Sequence, residues 1–173
     1  MNAPYYLIDA DVFISAKNRY YAFDICPGFW NSLIYHGSTG IVHSIDRVKS
    51  ELLAGRESED LVQWVKTDLP AEFFLDTYAD DVIATYEKVM LWVYRHPQYY
   101  DSAKAKFATE ADGWLVAYAA SRNAVIITNE QPRPTSRSRI LLPDVCAQFN
   151  VTYEDTFHLL RLLRIRFEWT APY

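Results

Sequence analysis

The sequence contains few of the residues that mark unusual classes of protein. Its 173 residues include 5 glycines, 8 prolines and 2 cysteines, and 50% of them are hydrophobic. This composition excludes collagen-like and low-complexity chains and predicts a folded protein with a buried core. Cys26 and Cys146 lie far apart and neither belongs to a CxxC pair. We therefore expect neither a disulfide scaffold nor a zinc cluster, and we expect a cytoplasmic location.

The chain also lacks long apolar runs and an excess of positive charge. No run approaches the roughly 18 apolar residues of a membrane helix, so we expect no membrane span. The first eleven residues contain two aspartates and no basic residue, which argues against a signal peptide. The 17 Lys and Arg against 22 Asp and Glu give a net charge of −5. This balance disfavours a broad basic surface for nucleic acid, but it allows an enzyme whose acidic residues form one metal site.

Short apolar runs alternate with segments of helical periodicity. With no repeat and no flexible linker, residues 1–173 are interpreted as a single domain. The runs 5–8 and 124–128 have the composition of buried strands. Periodicity and capping residues predict helices from Phe29 to Gly37, from the N-cap Ser44 to Gly55, from Ser58 to Pro70, over 79–95, from Thr109, from Pro143 and over about 154–166. Strands joined by helices predict an α/β domain with a mainly parallel sheet.

Acidic residues fall where such a sheet gathers them. Asp9 and Asp11 follow the first strand, and Glu130 follows the strand at 124–128. Asp112 opens the helix before that later strand, so it should lie at the same edge, beyond the carboxyl ends of the strands. Glu51 borders an apolar helix face, which suggests that it points into a crevice.

Carboxylates that meet in a cleft repel one another, and a divalent cation removes this cost. Hard oxygen ligands suit Mg²⁺ or Mn²⁺. Such an ion can lower the pKa of a bound water and stabilise charge on a phosphodiester. The pattern therefore favours metal-dependent hydrolysis of a phosphoester.

Each acidic residue also has an ordinary structural interpretation. Asp112 can stabilise a helix N-terminus, and either Asp9 or Asp11 can cap the helix after the first strand. Glu51 alone is typical of a solvated helix residue, and Glu130 of a turn. Only the combination of the four positions indicates a site.

The order of these acids resembles the PIN-domain family of metal-dependent nucleases, which includes VapC-like toxins. That family begins with a hydrophobic strand and D-x-N, and Tyr6–Ile14 (YLIDADVFI) matches it with Asp11 in place of Asn. An acid on an early helix corresponds to Glu51 in VKSELL. The helix motif D-x-x-h-x-x-x-A, where h is apolar, corresponds to Asp112 in DGWLVAYA. The strand ending in T-x-D corresponds to TNE, where Glu130 replaces Asp.

The resemblance covers about residues 5–151. It implies a Rossmann-like three-layer α/β/α sandwich and endoribonuclease activity, with a metal-bound water attacking phosphorus. Thr128 would orient a carboxylate or water. VapC-like toxins pair with an antitoxin and are often dimeric, so the resemblance also implies an antitoxin partner and a homodimer. The residues that it implies hold one or two Mg²⁺ or Mn²⁺ ions are Asp9, Glu51, Asp112 and Glu130.

Three arginines, Arg133, Arg137 and Arg139, follow Glu130 in a polar loop. Guanidinium groups at this place could contact RNA phosphates. The alternative is a solvated basic loop, or one that pairs with the acids of a partner.

Two other functions stay open at the level of sequence. The segment from Asp9 to Asp11 also fits the nucleophile motif of haloacid-dehalogenase-type phosphatases, although the later Lys and acidic pair of that family are not evident. The replacements at Asp11 and Glu130 also fit a PIN-like fold that binds a partner without catalysis.

Overall fold

The computed structural model describes residues 5–170, in which the strands are separated by one or more helices. The strands are β1 (Tyr6–Ile8), β2 (Val42–Ile45), β3 (Phe74–Leu75), β4 (Val125–Ile127) and β5 (Tyr153–Glu154). The helices are α1 (Ala10–Ser15), α2 (Pro27–Ser38), α3 (Asp46–Leu53), α4 (Asp60–Thr67), α5 (Asp80–Arg95), α6 (Asp101–Phe107), α7 (Asp112–Arg122), α8 (Leu142–Gln148) and α9 (Thr156–Leu162). A π-helical turn, Ala16–Tyr20, continues α1.

Within this range the strands form one sheet in the order β3-β2-β1-β4-β5, and every neighbouring pair is parallel. The central strand is β1, where Leu7 lies opposite His43 of β2 and Ile126 of β4. The prediction of an α/β fold with a mainly parallel sheet is confirmed. Because all strands run the same way, the segments that follow them meet at one edge.

The sheet is covered on both faces. Tyr6, Leu7 and Ile8 are all buried, although successive residues of a strand point to opposite faces. Helices therefore flank the sheet, as in a Rossmann-like three-layer sandwich. None of the helices in the part of the chain that the structure describes is both long and apolar enough to cross a lipid bilayer.

Close packing between α5 and α7 fixes the N-terminus of α7. A Cβ atom added at Gly113 would lie 3.0 Å from the ring of Tyr86, so the absence of a side chain allows this approach. The Tyr86 ring stacks on Trp114 with 3.7 Å between the ring centroids. Asp112 is the first residue of α7, and the packing of the next two residues, Gly113 and Trp114, against Tyr86 fixes its position.

Several sequence-based boundaries were wrong. Thr109 was predicted to begin a helix, but α7 begins at Asp112, because Thr109 lies in the turn that follows α6. Ser44 was predicted as a helix N-cap, but it lies within β2, and its hydroxyl donates to the carbonyl of Ile8 at 2.6 Å. The last helix was predicted over about 154–166, but it spans Thr156–Leu162. Tyr153–Glu154 instead pairs with β4 as the edge strand β5, and the helix is capped by Asp155, whose carboxylate accepts from the backbone N–H of His158 at 2.7 Å.

Candidate metal centre

Acidic residues from separate parts of the chain meet at the carboxyl edge of the sheet. Asp9 follows β1 directly, and Glu130 lies three residues beyond the end of β4. These strands are paired in register from Tyr6↔Val125 to Ile8↔Ile127, which brings Asp9 next to Thr128. Asp112 begins the helix that leads into β4. The parallel ladder thus explains why residues remote in sequence lie together.

Asp9 is the most deeply buried of these acids, with 5% of its surface exposed. Its Oδ2 accepts a hydrogen bond from the Thr128 hydroxyl at 2.9 Å. Asp9 also precedes α1 as its N-cap residue, yet its side chain makes no capping hydrogen bond. Burial raises the pKa of Asp9 to about 7, the Thr128 bond opposes this rise, and the charges of Asp11, Glu130 and Glu51 add to it. The carboxylate is therefore placed against other carboxylates rather than against the helix.

Asp112 faces the same group of charges. Burial raises the pKa of its carboxyl well above the usual range, and the charges of Asp9, Glu130, Glu110 and Glu51 raise it further. Among residues 5–170, no side-chain or backbone donor forms a hydrogen bond with this carboxylate. Asp112 is thus a half-buried acid that the described protein atoms leave unneutralised.

Glu51 belongs to α3 and contacts the backbone just before α7. Its Oε1 accepts a hydrogen bond from the backbone N–H of Ala111, just before α7, at 2.7 Å. Burial raises the pKa of Glu51, the bond from Ala111 opposes this, and the charge of Glu110 adds to the rise. Glu51 is therefore no freely solvated helix residue.

Glu130 has the most partners of the four. Its Oε1 accepts from the Arg139 guanidinium at 2.8 Å, and its Oε2 accepts from the backbone N–H of Leu142, at the start of α8, at 2.9 Å. Its own backbone N–H donates to the Thr128 hydroxyl at 3.2 Å. Thr128 thus connects the segment of Glu130 to Asp9.

The three arginines of the loop have different surroundings. Arg139 pairs with Glu130. Arg137 lies over the ring of Tyr100, with 4.9 Å from its guanidinium carbon to the ring centroid. Arg133 is exposed and lines a cavity of about 490 Å³ together with Arg139 and Asp11. Asp11 itself accepts a hydrogen bond from the Ser15 hydroxyl at 3.0 Å.

The donor set has the chemistry of a site for a hard divalent cation. Asp9 and Asp112 are carboxylates in a low-dielectric setting whose charges repel, and a cation between them would remove that repulsion. As the side chains are placed, no three His, Cys, Asp or Glu residues in the described range stand close enough to hold an ion. Glu51 and Glu130 would have to leave the donors Ala111, Arg139 and Leu142 to complete a ligand set.

Other residues of this region gave no signal in the sequence. Glu110 raises the pKa of both Asp112 and Glu51, although it also pairs with Lys106 at 3.4 Å. Cys146 is buried, and burial together with the charges of Asp112 and Asp9 raises the pKa of its thiol. Glu110 resembled an ordinary residue of a helix start, and Cys146 an ordinary core residue, because neither belongs to a local motif.

Comparison with known proteins shows the fold and the family. The chain resembles a chain of the crystal structure of VapBC2 from Rickettsia felis bound to a DNA fragment from their promoter. The TM-score is 0.52 with 13% sequence identity, over 87% of this chain and 97% of that chain. At this identity the likeness concerns the fold, and it supports the PIN-like form of the α/β sandwich. No curated protein sequence matches the chain significantly.

The family model that matches is described as a domain of unknown function, DUF4411, and the match spans residues 6–167. The match includes every strand of the sheet and all four acids of the cluster. The chain therefore belongs to the DUF4411 family.

Proposed function

We propose that this protein is a metal-dependent endoribonuclease that acts as the toxin of a toxin–antitoxin pair. The observation that carries the proposal is the meeting of Asp9, Glu51, Asp112 and Glu130 at one edge of the sheet. Burial there raises the pKa of Asp9 and Asp112, and the charges of the neighbouring acids raise it further. Clustered carboxylates of raised pKa are typical of functional sites. The likeness of the fold to a chain of a VapBC complex supports the toxin assignment.

The proposed ligands of Mg²⁺ or Mn²⁺ are these four carboxylates. A bound ion of this type supplies a water of lowered pKa and stabilises charge on the phosphodiester. Asp9 is pre-positioned for the ligand role, because the Thr128 hydroxyl fixes one of its oxygens and leaves the other free. The π-helical turn and the loop after Glu130 border the cluster and would orient the RNA.

Arg139 has a second role in this proposal. Its pairing with Glu130 neutralises one acid of the cluster while no cation is bound. When Glu130 turns to a cation, the Arg139 guanidinium becomes available to an RNA phosphate. Arg133 and Arg137 would contact phosphates further along the loop.

The test compares two aspartates that each begin a helix. Asp112 begins α7 within the cluster, whereas Asp101 begins α6 and its side chain is fully exposed. We expect Asp112→Asn to abolish Mn²⁺-dependent cleavage of RNA by the purified protein and to weaken Mn²⁺ binding in calorimetry. Asp101→Asn should cleave and bind as the wild type does. Equal cleavage by both variants would contradict the assignment of Asp112.

Expression in cells extends the test to the toxin role. Wild type should arrest growth and create discrete new RNA 5′ ends, and Asp112→Asn should do neither. The partners proposed are an RNA substrate, an antitoxin protein and a second copy of the chain. Co-expression with the neighbouring gene product should restore growth if that product is the antitoxin.

Two alternatives have distinct outcomes. A PIN-like module without catalysis is favoured by the engagement of both Glu130 oxygens, and it would show neither Mn²⁺ affinity nor cleavage. A haloacid-dehalogenase-type phosphatase would use Asp9 as a nucleophile. The groups that shift the pKa of Asp9 are a hydroxyl and three carboxylates, whereas that chemistry needs a lysine beside the aspartate.

A further inference from the structure

A groove runs beside the acidic cluster along the π-helical turn. Two cavities, of about 340 Å³ and 490 Å³, lie next to each other there. The residues that line both of them are Asp11, Arg19, Asn129 and Gln131. The larger cavity also reaches Glu130. The groove is therefore continuous with the proposed metal centre.

The two halves of the groove differ in character. The larger cavity is lined by three guanidinium groups, those of Arg19, Arg133 and Arg139, and by two acids, Asp11 and Glu130, of which Glu130 pairs with Arg139. The smaller cavity is lined by three aromatic rings, those of Tyr20, Tyr21 and Phe157, and by two acids, Asp11 and Asp155. Cations gathered on a protein with a net charge of −5 complement a chain of phosphates, and aromatic faces complement unpaired bases.

The local backbone places these groups. The π-helical turn Ala16–Tyr20 continues α1 and carries Arg19 and Tyr20, and such turns are frequent at functional sites. Within residues 5–170, Arg19 forms no ion pair. Tyr20 is 56% exposed and Phe157 is 49% exposed. Arg19, Tyr20 and Phe157 therefore present a guanidinium without an ion pair in the described residues and two exposed rings to one cavity, where a single ligand can contact all three.

Tyr21 and Asn129 make the groove rigid. The Tyr21 ring stacks on the buried Phe29, with 4.5 Å between ring centroids. The Oδ1 atom of Asn129 accepts from the hydroxyl of Thr156 at 2.8 Å and from its backbone N–H at 3.4 Å. These two bonds fix the amide oxygen of Asn129, a residue that lines both cavities.

We propose that this groove is a nucleotide-binding subsite for single-stranded RNA, in which Arg19 binds a backbone phosphate and Tyr20 stacks on an unpaired base. The subsite rests on the proposed ribonuclease function and states which form of RNA that function uses. Arg133 extends the phosphate path, and Phe157 offers a second face to the base. Duplex RNA does not fit this arrangement because its bases are already stacked and paired.

Binding can be measured separately from cleavage. The parent protein is the full chain with Asp112→Asn, and the probe is a fluorescently labelled single-stranded RNA of twelve nucleotides, followed by anisotropy in EDTA. Arg19→Ala and Tyr20→Ala are added to this parent. The matched controls are Arg95→Ala and Tyr94→Ala, because these neighbouring residues are also an exposed arginine and tyrosine and line neither cavity of the groove.

Arg19→Ala and Tyr20→Ala should both weaken RNA binding, but only Arg19→Ala should change the salt dependence of that binding. Arg19→Ala should weaken binding about fivefold to tenfold and reduce the slope of affinity against salt by about one phosphate contact. Tyr20→Ala should weaken binding about fivefold to 100-fold without changing that slope, and Tyr20→Phe should restore it, since the ring stacks without its hydroxyl. The controls should stay within about twofold of the parent, and a duplex of the same sequence should bind at least about tenfold more weakly.

Several results would overturn the subsite. Arg19→Ala and Tyr20→Ala could bind as the parent does, the Arg95 and Tyr94 controls could lose as much, or the duplex could bind equally well. If wild type still cleaves RNA in a manner that needs Asp112, these results remove the subsite and leave the proposed function intact. A parent that binds no RNA, together with a wild type that cleaves none, removes both. Circular dichroism of each variant excludes loss of folding as the cause.

Discussion

Asp9 and Asp46 occupy equivalent places in neighbouring strands. Asp9 directly follows β1 and Asp46 directly follows β2, and these strands are adjacent and parallel. The carboxylate of Asp46 accepts from the backbone N–H of Arg47 and from the hydroxyl of Thr77, both at 2.9 Å. The Arg47 guanidinium lies 3.9 Å from it. Asp9 receives one side-chain hydrogen bond, from Thr128, and its pKa is raised by burial and further by three carboxylates.

The comparison shows that the end of a strand does not decide the role of an aspartate. Asp46 has a cation and two donors, so it joins β2, α3 and the segment of Thr77 into a stable unit. Asp9 has an excess of negative charge around it, which stability alone does not favour. Its surroundings therefore support the proposal that Asp9 is a ligand of a bound cation.

The largest expected difference concerns RNA cleavage. Asp9→Asn should reduce the Mn²⁺-dependent rate at least about 100-fold, because a ligand that organises charge stabilisation contributes several kcal/mol to the transition state. Asp46→Asn should change it less than about threefold. Single-turnover cleavage of one labelled RNA, at equal protein concentrations, measures both.

The same two variants can also break the comparison. If Asp46→Asn loses activity as Asp9→Asn does while both remain folded, the two strand ends act together and the contrast is wrong. Thermal unfolding in the presence of EDTA checks that neither loss arises from misfolding.

The next effect is a pH dependence of stability in the absence of metal. The carboxyl of Asp9 has an ordinary pKa of 3.8 and a folded pKa of about 7, so the folded state binds more protons than the unfolded state between these values. The free energy of unfolding that this group contributes must then fall as pH rises from about 4 to 7. We expect a fall of about 1–4 kcal/mol, measured by urea unfolding in EDTA.

Two additions isolate the cause of this fall. Asp9→Asn should reduce the dependence, because one of the two buried aspartates of raised pKa is gone and only Asp112 remains. Mn²⁺ should restore stability at pH 7.5 and have little effect at pH 5, where protons already neutralise the cluster. A fall of unchanged size in Asp9→Asn would show that Asp9 does not contribute to it.

A smaller effect concerns the free energy of unfolding, which should change in opposite directions in Asp112→Asn and in Asp46→Asn. At pH 7.5 without metal, Asp112→Asn should raise the free energy of unfolding by about 1 kcal/mol, because it removes one of several charges that repel. Asp46→Asn should lower it by about 1–2 kcal/mol through weaker bonds to Arg47 and Thr77. Urea unfolding of both variants in one buffer is the measurement, and equal signs would contradict the contrast.

The smallest expected effect concerns the hydroxyl of Thr128. Thr128→Val keeps the shape but removes the donor to Asp9, which opposes the rise in the pKa of that carboxyl. We expect cleavage to fall about fivefold to tenfold, in line with the loss of about 1 kcal/mol for one hydrogen bond, and Thr128→Ser to restore most of it. The activity profile should also move to higher pH, an effect that a purely structural role would not produce.

The sequence predicted the parts of the fold that long periodic segments encode. The helix expected over 79–95 is α5, and the apolar run 124–128 contains β4. Strand β2 was missed because His43 and Ser44 interrupt its apolar pattern, and Ser44 is satisfied only by the carbonyl of Ile8 in the neighbouring strand. The strands β3 and β5 have two residues each, too few for any pattern.

For the candidate site, the sequence predicted location but not partners. A parallel sheet brings strand ends together, so the meeting of Asp9, Asp112 and Glu130 follows from fold class. The pairing of Glu130 with Arg139, and of Glu51 with the N–H of Ala111, depends on loop conformation. No local pattern encodes these contacts. The roles of these acids stay predictions until the variants are measured.

The pairing of the two central strands also has a consequence for synthesis on the ribosome. Asp9 and Thr128 are 119 positions apart, and at about 5–20 residues per second the second is made several seconds or more after the first. Until β4 has emerged and inserted beside β1, Asp9 has neither the hydroxyl of Thr128 nor the carboxylate of Glu130 next to it. The acidic cluster on which the proposed ribonuclease function depends is therefore incomplete in a nascent chain that has not yet exposed β4 and Glu130.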